Sequence, residues 1–541
     1  MLKNYFMTKT NYKTDVIIAG GGLAGMACAL ELLNKGKKVI LLDRAEEGRF
    51  GGLAKLSFGG MFFVNSPLQR RTGIKDSPDL ALKDWHSFAE FESGAKWPKL
   101  WAEKYVNECT DKVYSWLKHQ GVSFFPVVHS VERGLYKPGN SVPRFHMVWG
   151  TGTSLTGELE KQLRNHKNKA NLTLKFKHKV TDITISQNRA SGVIGVNELN
   201  GVEFSVESEN VIIASGGICG SIDKVRANWY KPWGVPPETI LNGSILEADG
   251  LLHDVVEKHN GYITNLDKCW HYAGGVNHPR PHFLNHGISL VPPKSALWVK
   301  TTGERFPIPL VTGFDTRFMV QEICKQEKKY SWQILNMKIA LKELAASGAE
   351  SNRAIRDKNL PLFLKTILFG SKELVDDFIA NCKDFVVADN LEELAKKMNT
   401  LTGENEVNIN LLRAAVSSYD ATIDRGEALH NDEQLRRIAH ARQYKGDRVR
   451  TCKFQKINDS KAMPLIAIRE HILTRKTLGG IQTDLNCRVL TQDQTPIDGL
   501  FAIGEAAGFG GGGIHGLRSL EGTFLGTCVL TGREAANSIS K

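Results

Sequence analysis

A glycine-rich turn near the start of the chain constrains its fold more than any other feature. The apolar run Val16 to Ala19 predicts a buried strand, and it leads directly into Gly20-Gly21-Gly22-Leu23-Ala24-Gly25 and a helix from Met26 to Leu33. In such a unit the first glycine permits the tight bend, the second lets the backbone approach a pyrophosphate, and the third lets the helix pack closely on the strand. The amide groups that begin the helix carry partial positive charge and bind phosphate.

A second predicted strand, Lys38 to Leu42, ends at Asp43, about twenty residues after the turn. A carboxylate at that position can accept hydrogen bonds from ribose hydroxyl groups. Strand, turn, helix, strand and acid together predict a site for an adenine dinucleotide, FAD or NAD, and the alternative is an ordinary βαβ turn. The residues assigned to this end of the site are Gly20, Gly22, Leu23, Ala24, Gly25, Asp43 and Arg44.

Length and cysteine content limit the class of protein. A chain of 541 residues exceeds the size at which a single hydrophobic core stops growing, so two domains are expected. The nine cysteines show no C-x-x-C spacing, which predicts reduced thiols in a cytoplasmic protein. We expect no transmembrane segment, because no run of about eighteen apolar residues exists, and no signal peptide, because the first dozen residues lack an apolar core.

The net charge of +12 is distributed along the chain and is not concentrated in a tail. A solvated basic surface is the simplest interpretation, and attraction to an anionic substrate, an acidic redox partner or a membrane face is the alternative. We predict no nucleic-acid partner and no metal site.

The nucleotide-domain signals lie at both ends of the chain. Strands are predicted within 175–186 and 204–217, and again at 498–506 before a helix from about 519 to 538. The segment between them opens with aromatic and histidine-rich loops, has no fingerprint of its own, and includes predicted charged helices at 331–346 and 391–397. We therefore predict an α/β fold in which residues 1–267 and 446–541 form a Rossmann-like dinucleotide-binding domain. An inserted α+β capping domain at 268–445 is expected to cover the substrate.

These motifs resemble those of the fumarate reductase and succinate dehydrogenase flavoprotein family, especially its branch similar to 3-ketosteroid dehydrogenases. The resemblance covers nearly the whole chain. It rests on Gly20-x-Gly22-x-x-Gly25, Asp43, Gly51-Gly52, Gly59-Gly60, Ala214 to Gly217, Glu247 to Gly250, Gly303 to Phe306, Thr477 to Gly480, and Gly504 to Ala506. It implies FAD, bound by a Rossmann-like FAD-binding domain that is built from both chain ends. The further FAD contacts that it implies are Gly51, Gly52, Gly59, Gly60, Val180, Ala214, Gly216, Asp249, Glu505, Ser519 and Leu520.

Glu505 supports FAD over NAD on physical grounds. After a closing strand, its carboxylate is placed to accept hydrogen bonds from the ribityl chain that FAD has and NAD lacks; the alternative is a helix-capping glutamate. Relatives that bind flavin covalently carry a histidine near Gly51 to Gly60, and this stretch has none, so non-covalent FAD is predicted. No second glycine turn for NAD(P)H and no haem or iron–sulfur pattern is present, so the electron donor or acceptor is an unknown separate partner.

The resemblance implies transfer of two hydrogens to or from a carbon–carbon bond beside a carbonyl or carboxylate. A hydride passes to or from flavin N5 while a protein group moves the proton. The glycine run before Arg518 follows Glu505 and is predicted to expose amides near the flavin. Arg518 matches an arginine that grips the substrate carboxylate in fumarate reductases, so we predict a substrate clamp, with a salt bridge as the alternative. His515 lies among small residues too short to bury it and is predicted to donate to a developing enolate; an ordinary loop histidine is the alternative.

The chain also departs from the family pattern. Arg475-Lys476-Thr477-Leu478-Gly479-Gly480 lacks the histidine that fumarate reductases carry before this motif. Tyr136 and Tyr272 lie in predicted loops that can face the flavin, with packing as the alternative for Tyr272, and Arg144 and His146 are further candidates for the pocket wall.

The predicted function is therefore an FAD-dependent oxidoreductase that acts on CH–CH bonds of a small-molecule substrate, with a ketosteroid-like or other cyclic ketone favoured. Reduction of an unsaturated carboxylate is one alternative. A non-catalytic FAD-binding subunit for electron transfer is the other.

Overall fold

The computed structural model describes residues 10–539, and strands and helices are mixed throughout. The strands are β1 (Thr10–Lys13), β2 (Val16–Ala19), β3 (Val39–Leu42), β4 (Gly60–Phe62), β5 (Phe124–His129), β6 (Phe145–Val148), β7 (Leu172–Lys175), β8 (His178–Ser186), β9 (Arg189–Asn197), β10 (Glu203–Glu207), β11 (Val211–Ile213), β12 (Ile240–Asn242), β13 (Ile263–Thr264), β14 (Cys269–Asn277), β15 (Gly287–Val291), β16 (Leu297–Val299), β17 (Tyr330–Asn336), β18 (Ala345–Ala346), β19 (Phe385–Ala388), β20 (Leu465–Thr477), β21 (Gly480–Ile481), β22 (Arg488–Leu490) and β23 (Pro496–Ala502). The α-helices are α1 (Leu23–Asn34), α2 (Gly52–Lys55), α3 (Pro67–Arg71), α4 (Pro78–Ala89), α5 (Lys96–Glu108), α6 (Trp116–His119), α7 (Thr151–Arg164), α8 (Ile222–Ala227), α9 (Leu251–Lys258), α10 (Thr316–Cys324), α11 (Met337–Glu343), α12 (Arg353–Arg356), α13 (Leu360–Phe369), α14 (Lys372–Asn381), α15 (Leu391–Thr402), α16 (Ile409–Asp424), α17 (Glu433–Gln443), α18 (Lys445–Arg448) and α19 (Thr523–Ile539).

The larger sheet brings the two ends of the chain together. Its ten strands follow the order β1-β10-β9-β23-β11-β2-β3-β7, with β22 beside β23 and β8 beside β9. The strands β23, β11, β2, β3 and β7 are parallel, so their carboxyl ends meet at one edge. Because β2 and β3 are apolar and buried on both faces, helices cover the sheet, with α1 and α19 together on one face. The predicted strand, glycine turn and helix are confirmed as β2 and α1.

The second sheet has eight strands in the order β16-β17-β20-β14-β15-β18, with β12 and β19 also paired to β20. β20 is the longest strand of this sheet and is buried along almost its whole length. Both β12 and β20 lie outside 268–445, so this sheet extends beyond the limits predicted for the capping domain at both ends. The division of the chain into domains stays a prediction.

One predicted helix in this region is wrong over its first half. Residues 330–336 form the strand β17, which pairs with β20 over seven residues from Tyr330 opposite His471 to Asn336 opposite Leu465. Burial of Trp332, Ile334 and other apolar side chains in the sheet outweighs local helix propensity, which is a weak preference. The helix begins only at α11, where the Asn336 side chain caps the Ile339 amide. The predicted helix at 391–397 is confirmed as α15.

The two sheets meet at the carboxyl end of β20. The Thr477 amide donates to Glu505 Oε1 (2.8 Å), and Thr477 Oγ1 accepts from the Ile218 amide (2.8 Å). A deep cleft opens here between the carboxyl ends of the parallel strands and the ends of β14 and β20. Within residues 10–539, no helix combines the length and the apolar character that crossing a bilayer requires.

Candidate active site

The glycine turn forms one end of the cleft, and its three glycines have distinct roles. A Cβ at Gly20 would lie 2.2 Å from the Ala214 carbonyl oxygen, and one at Gly25 would lie 2.1 Å from the Gly20 carbonyl oxygen. These two glycines therefore permit close backbone packing. A Cβ at Gly22 would meet nothing within 4 Å, because it would project into the cleft. Gly22 also begins α1 without a side-chain cap and without an acid in the first turn, so the helix amides are available to an anion.

Asp43 follows β3 at the same edge of the sheet. Its Oδ2 accepts from the Gly21 amide (3.0 Å) and its Oδ1 from the Ala45 amide (2.8 Å), which fixes the carboxylate at the cleft wall. Burial raises the pKa of Asp43, although both amide hydrogen bonds oppose the shift. At the same end of the cleft, Arg44 forms ion pairs with Asp249 (2.6 Å) and Glu198 (3.1 Å). Val180 also lines the cleft.

The paired glycines continue along the cleft wall. Gly51 has a φ of +108° and begins α2, and its amide donates to the Gly21 carbonyl (3.0 Å). A Cβ at Gly59, whose φ is +83°, would lie 2.9 Å from the Thr151 backbone, and one at Gly60 would overlap the Phe145 ring at 1.8 Å. The second pair is therefore needed for close packing, and Gly51, Gly52, Gly59, Gly60, Ala214 and Gly216 all line the cleft.

Glu505 stands at the middle of the cleft, where β23 ends. Its Oε1 accepts the Thr477 amide, and burial raises its pKa to about 7. These features fit FAD. The open space at Gly22 and the uncapped amides of α1 suit a pyrophosphate, Asp43 suits a ribose, and a buried carboxylate suits the ribityl hydroxyl groups.

A polar network occupies the opposite end of the cleft. Lys476 Nζ donates to the Tyr272 hydroxyl (2.8 Å), and that hydroxyl donates to Glu521 Oε2 (3.0 Å). Lys476 also pairs directly with Glu521 Oε1 (3.1 Å), and the Trp270 indole N–H donates to Glu521 Oε2 (2.8 Å). Lys476, Tyr272 and Glu521 all line the cleft. We call these three residues the Tyr272 network.

The electrostatics of the Tyr272 network follow from its burial. Burial raises the pKa of Tyr272 well above its usual value, and the neighbouring Glu521 charge adds to the shift. The phenol is therefore protonated at neutral pH. Burial lowers the pKa of Lys476, and the Glu521 carboxylate partly opposes that shift. Its ammonium lies 3.7 Å from the centre of the Phe524 ring, which adds a cation–π contact.

A second cation and an aromatic wall complete this end. Arg475 lines the cleft beside Lys476, and its Nη1 donates to Ser347 Oγ (2.9 Å). The apolar part of the wall consists of Phe145, Phe509, Phe524 and Leu525. This end can bind a bulky apolar molecule with one polar oxygen.

Arg518 does not line the cleft. Its guanidinium pairs with Glu90 and, at 3.2 Å, with Asp315, which caps α10. The backbone explains the position, because the Leu517 amide donates to the Ala89 carbonyl (2.7 Å) and so ties this loop to the end of α4. The salt bridge that the sequence left open is present, and the role of Arg518 as substrate clamp stays a prediction.

His515 is fully buried, so the expectation that its loop is too small to bury it is wrong. Its ring stacks on Trp85 and contacts Phe509 and Phe524 (centroids 5.8, 5.3 and 4.8 Å). Neither ring nitrogen has a hydrogen-bond partner in the described part of the chain, and burial lowers the pKa of His515 well below its usual value. The imidazole is therefore neutral and lies one layer behind the cleft wall.

Other candidates lie away from the cleft. Tyr136 is 63% exposed and packs edge-on against Phe318. Ser519 and Leu520 are buried outside the lining, which takes Glu521 and Phe524 from the same segment.

The wall near β6 also differs from expectation. Arg144 pairs with Asp76 and Asp84, and His146 bonds Ser66, so that Phe145 between them is the residue that lines the cleft. Alternation along β6 accounts for this, because successive side chains in a strand point to opposite faces.

The glycine run packs against protein and not against the cleft. A Cβ at Gly510 would lie 2.9 Å from the Trp101 ring, and one at Gly512 would lie 2.2 Å from Thr264 Oγ1. The amides of Gly510, Gly512 and Gly513 donate to backbone carbonyls, and the Gly511 amide donates to Thr483 Oγ1 (3.2 Å). The expectation that this run exposes amides to a ligand is therefore wrong for Gly510 to Gly513, and Phe509 reaches the cleft instead.

Sequence reasoning missed Arg475, Lys476 and Glu521 as site residues. A signal for Lys476 existed, since it precedes Thr477-Leu478-Gly479-Gly480 at the point where the family histidine is absent. Glu521 had no comparable signal.

Comparison with known proteins defines the class. The family model described as "FAD binding domain" matches residues 15–525. The chain therefore belongs to this family of flavoproteins, its cofactor is FAD, and it is an FAD-dependent oxidoreductase.

Particular relatives narrow the class further. The chain is 41% identical to a KsdD-like steroid dehydrogenase of Mycobacterium tuberculosis, over 97% of this chain and 96% of that protein. It is 40% identical to a KsdD-like steroid dehydrogenase of Mycolicibacterium smegmatis, over 94% and 96% of the two chains. Among solved structures, the 3-ketosteroid delta1-dehydrogenase of Sterolibacterium denitrificans has a TM-score of 0.71 at 16% identity and covers 98% and 99% of the two chains. At this identity, the similarity to the solved structure supports the fold alone.

Proposed function

We propose that the protein dehydrogenates a ketosteroid-like or other bulky cyclic ketone at a carbon–carbon bond beside the carbonyl, or catalyses the reverse reduction. Bound FAD takes up or supplies the hydride in such chemistry. The observation that carries the proposal is the Tyr272 network, a protonated phenol held between a lysine and a carboxylate at the aromatic end of the cleft. The two relatives named as steroid dehydrogenases, each about as long as this chain, support the substrate class.

The network provides a route for the proton. In dehydrogenation, the Tyr272 hydroxyl passes its proton to Glu521 Oε2 and takes the proton that leaves the carbon beside the substrate carbonyl. The Lys476 ammonium, which donates to the same phenolic oxygen, stabilises the negative charge that develops there. In the reverse direction each proton moves the opposite way.

Arg475 suits the role of carbonyl-binding group. Its bond to Ser347 holds the side chain at the cleft wall, and a guanidinium has further N–H donors in a fixed plane. Donation to the substrate carbonyl oxygen would stabilise the enolate that forms when the neighbouring proton leaves.

The shape of this end favours a ketone over a small dicarboxylate. Four apolar side chains, three of them aromatic, line the cleft here: Phe145, Phe509, Leu525 and Phe524, whose ring also contacts the Lys476 ammonium. Lys476 is already neutralised by Glu521, which leaves Arg475 as the cation with capacity for a substrate. A fused-ring ketone buries apolar surface against such a wall, and a dicarboxylate does not.

The test is flavin bleaching without oxygen. The purified yellow protein is mixed anaerobically with a panel of ketosteroids and other cyclic ketones, and absorbance of the oxidised flavin is recorded. Dithionite-reduced protein is mixed with unsaturated ketones and with unsaturated dicarboxylates. We expect turnover with a cyclic ketone in one of the two directions. Reoxidation by a dicarboxylate alone would replace the proposal with enoate reduction, and no response to any compound would favour an electron-transfer subunit.

The remaining expectations belong to the same proposal. The second sheet and its helices act as the substrate-side cap, and β20 of that sheet supplies Arg475 and Lys476. FAD is non-covalent, so acid precipitation should leave it in the supernatant. An unidentified electron acceptor or donor completes the cycle, and the protein resides in the cytoplasm, which cell fractionation would test.

A further inference from the structure

Helix α13 departs from the usual pattern of a surface helix. Its sequence, Leu-Pro-Leu-Phe-Leu-Lys-Thr-Ile-Leu-Phe, has a single charged residue, yet none of its ten residues is buried. Leu360, Leu364 and Leu368 recur every four residues on one side, with exposures of 51%, 50% and 74%, and Phe369 beside them is 76% exposed. We call these four side chains the α13 ridge. Single exposed leucines are common on proteins, but a contiguous ridge of this kind marks an interaction surface.

The ridge is held in place and is not a loose apolar segment. On the inner side of α13, Phe363 packs against Phe125 and Trp149, with ring centroids 4.9 and 6.0 Å apart. Beyond the helix, the Ser371 amide donates to the Leu341 carbonyl (2.9 Å). One side of α13 is therefore packed against the protein, and the other side exposes the leucines to solvent.

Two lysines on and beside α13, Lys358 and Lys365, carry charge that no paired acid in the described part of the chain offsets. Residues 353–372 contain the five cations Arg353, Arg356, Lys358, Lys365 and Lys372 and the single acid Asp357. Asp357 pairs with Arg356 (2.7 Å) and more loosely with Arg353 (3.7 Å), which also approaches Glu373 (3.8 Å), and Lys372 pairs with Asp376 (2.6 Å). Within residues 10–539, no carboxylate pairs with Lys358 or Lys365. Apolar side chains flanked by unpaired cations match an anionic lipid surface, in which acyl chains lie below negatively charged headgroups.

We infer that the α13 ridge docks the protein on the surface of an anionic phospholipid bilayer. Ten residues span about 15 Å, half of a bilayer's hydrocarbon core, so α13 lies in the interface and does not cross it. α13 is linked to the cleft wall through Trp149, which Phe363 contacts and which directly follows β6, the strand that carries Phe145. Ser347, four residues after the end of α11, lines the cleft and bonds Arg475, and the Ala349 amide donates to the Leu56 carbonyl (3.0 Å).

The test uses the FAD-loaded full-length protein and needs no substrate. Wild type and variants are sedimented with vesicles of phosphatidylcholine alone and of phosphatidylcholine mixed with phosphatidylglycerol. Wild type should bind the mixed vesicles and bind neutral vesicles at least about tenfold less, because each basic residue near the surface adds to the attraction. The triple variant L364S/L368S/F369S should lose at least about tenfold in binding to mixed vesicles.

Two matched controls separate the ridge from general surface effects. Leu199→Ser alters an equally exposed leucine (74%) at a distant turn and should bind like wild type. Lys358→Glu combined with Lys365→Glu should weaken binding to mixed vesicles, and Lys396→Glu, an exposed change of the same sign on α15, should not. FAD absorbance and melting temperature confirm that each variant is folded.

Three results would overturn the inference. In the first, wild type does not bind the mixed vesicles. In the second, the triple variant binds mixed vesicles as well as wild type does. In the third, wild type binds neutral and mixed vesicles equally. A fourth measurement, light scattering after gel filtration, tests a second copy of this chain as the occupant: a wild-type dimer that becomes a monomer in the triple variant would assign the ridge to self-association instead.

Discussion

Replacing Tyr272 by phenylalanine tests the proposed proton route most directly. The change removes one hydroxyl group, which accepts from Lys476 at 2.8 Å and donates to Glu521 at 3.0 Å, and it keeps the ring in the cleft wall. Lys476 and Glu521 retain their own contact at 3.1 Å. No buried charge is therefore left without a partner, and the two lost hydrogen bonds should lower the free energy of unfolding by about 1 kcal/mol each.

The effect on turnover should be much larger than the effect on stability. A positioned acid or base accounts for about 10²–10⁴ in rate, which corresponds to about 2.7–5.4 kcal/mol in the activation barrier. We expect the first-order rate of anaerobic flavin reduction by a ketone substrate to fall by that factor in Tyr272→Phe. FAD content should stay stoichiometric, because the ring stays in place and the contacts assigned to the pyrophosphate and ribose, at Gly22 and Asp43, do not involve Tyr272.

A matched control exists in the same protein. Tyr105 is fully buried, and its hydroxyl donates to the Phe62 carbonyl (2.8 Å) at a point that does not line the cleft. Tyr105→Phe should lower the melting temperature by a similar amount and leave the rate within a few-fold of wild type. Glu521→Gln should slow the reaction as Tyr272→Phe does, and the double variant should be no slower than either, because both act in one path. A Tyr272→Phe protein with wild-type rate would refute the proton route.

Three further predictions concern the cofactor site and Arg518, which lies outside the cleft. Gly22→Val should place a branched side chain in the space left for the pyrophosphate, so the protein should purify without yellow colour; full FAD content would contradict the assignment of this turn. The pKa of Glu505 is raised to about 7, so its carboxylate form is lost below that pH. FAD affinity, measured by fluorescence, should therefore fall by up to about tenfold per pH unit below about pH 7. Glu505→Gln should abolish this pH dependence. Arg518→Ala separates the two interpretations of this residue: if the salt bridge is its role, loss of the cation shared by Glu90 and Asp315 lowers the melting temperature and leaves the rate near wild type. A rate loss of about a hundred- to thousandfold with unchanged melting would instead restore the substrate clamp.

The cofactor end could be predicted from the sequence because its parts are local. β2, the glycine turn, α1 and β3 are consecutive, and the function of each glycine depends on the residues next to it in the chain. Asp43 follows at the spacing that one βαβ unit requires. Burial of the two strands on both faces can likewise be predicted, because each is an uninterrupted run of apolar residues.

The substrate end could not be predicted in the same way, because its parts meet only through tertiary pairing. Trp270 lies opposite Lys476 between β14 and β20, and an irregularity in the register follows at once, between Trp270 and His271. Tyr272 itself lies opposite Leu473, its hydroxyl reaches Lys476 through the side chain, and the segment just before α19 supplies Glu521. No periodicity in the sequence encodes such a register. Arg518 shows the opposite case, a conspicuous arginine that the backbone bond between Leu517 and Ala89 directs away from the cleft.

The substrate end and the cofactor end of the cleft meet at the peptide unit between Lys476 and Thr477. Lys476 faces the cleft as part of the Tyr272 network, and the next residue, Thr477, bonds Glu505 through its amide and Ile218 through its hydroxyl. Since adjacent residues in a strand are about 3.3 Å apart along its axis, the proton network cannot move away from the carboxylate that suits the ribityl chain without breaking these bonds. Opening of the cleft for a bulky substrate must therefore involve segments other than the end of β20.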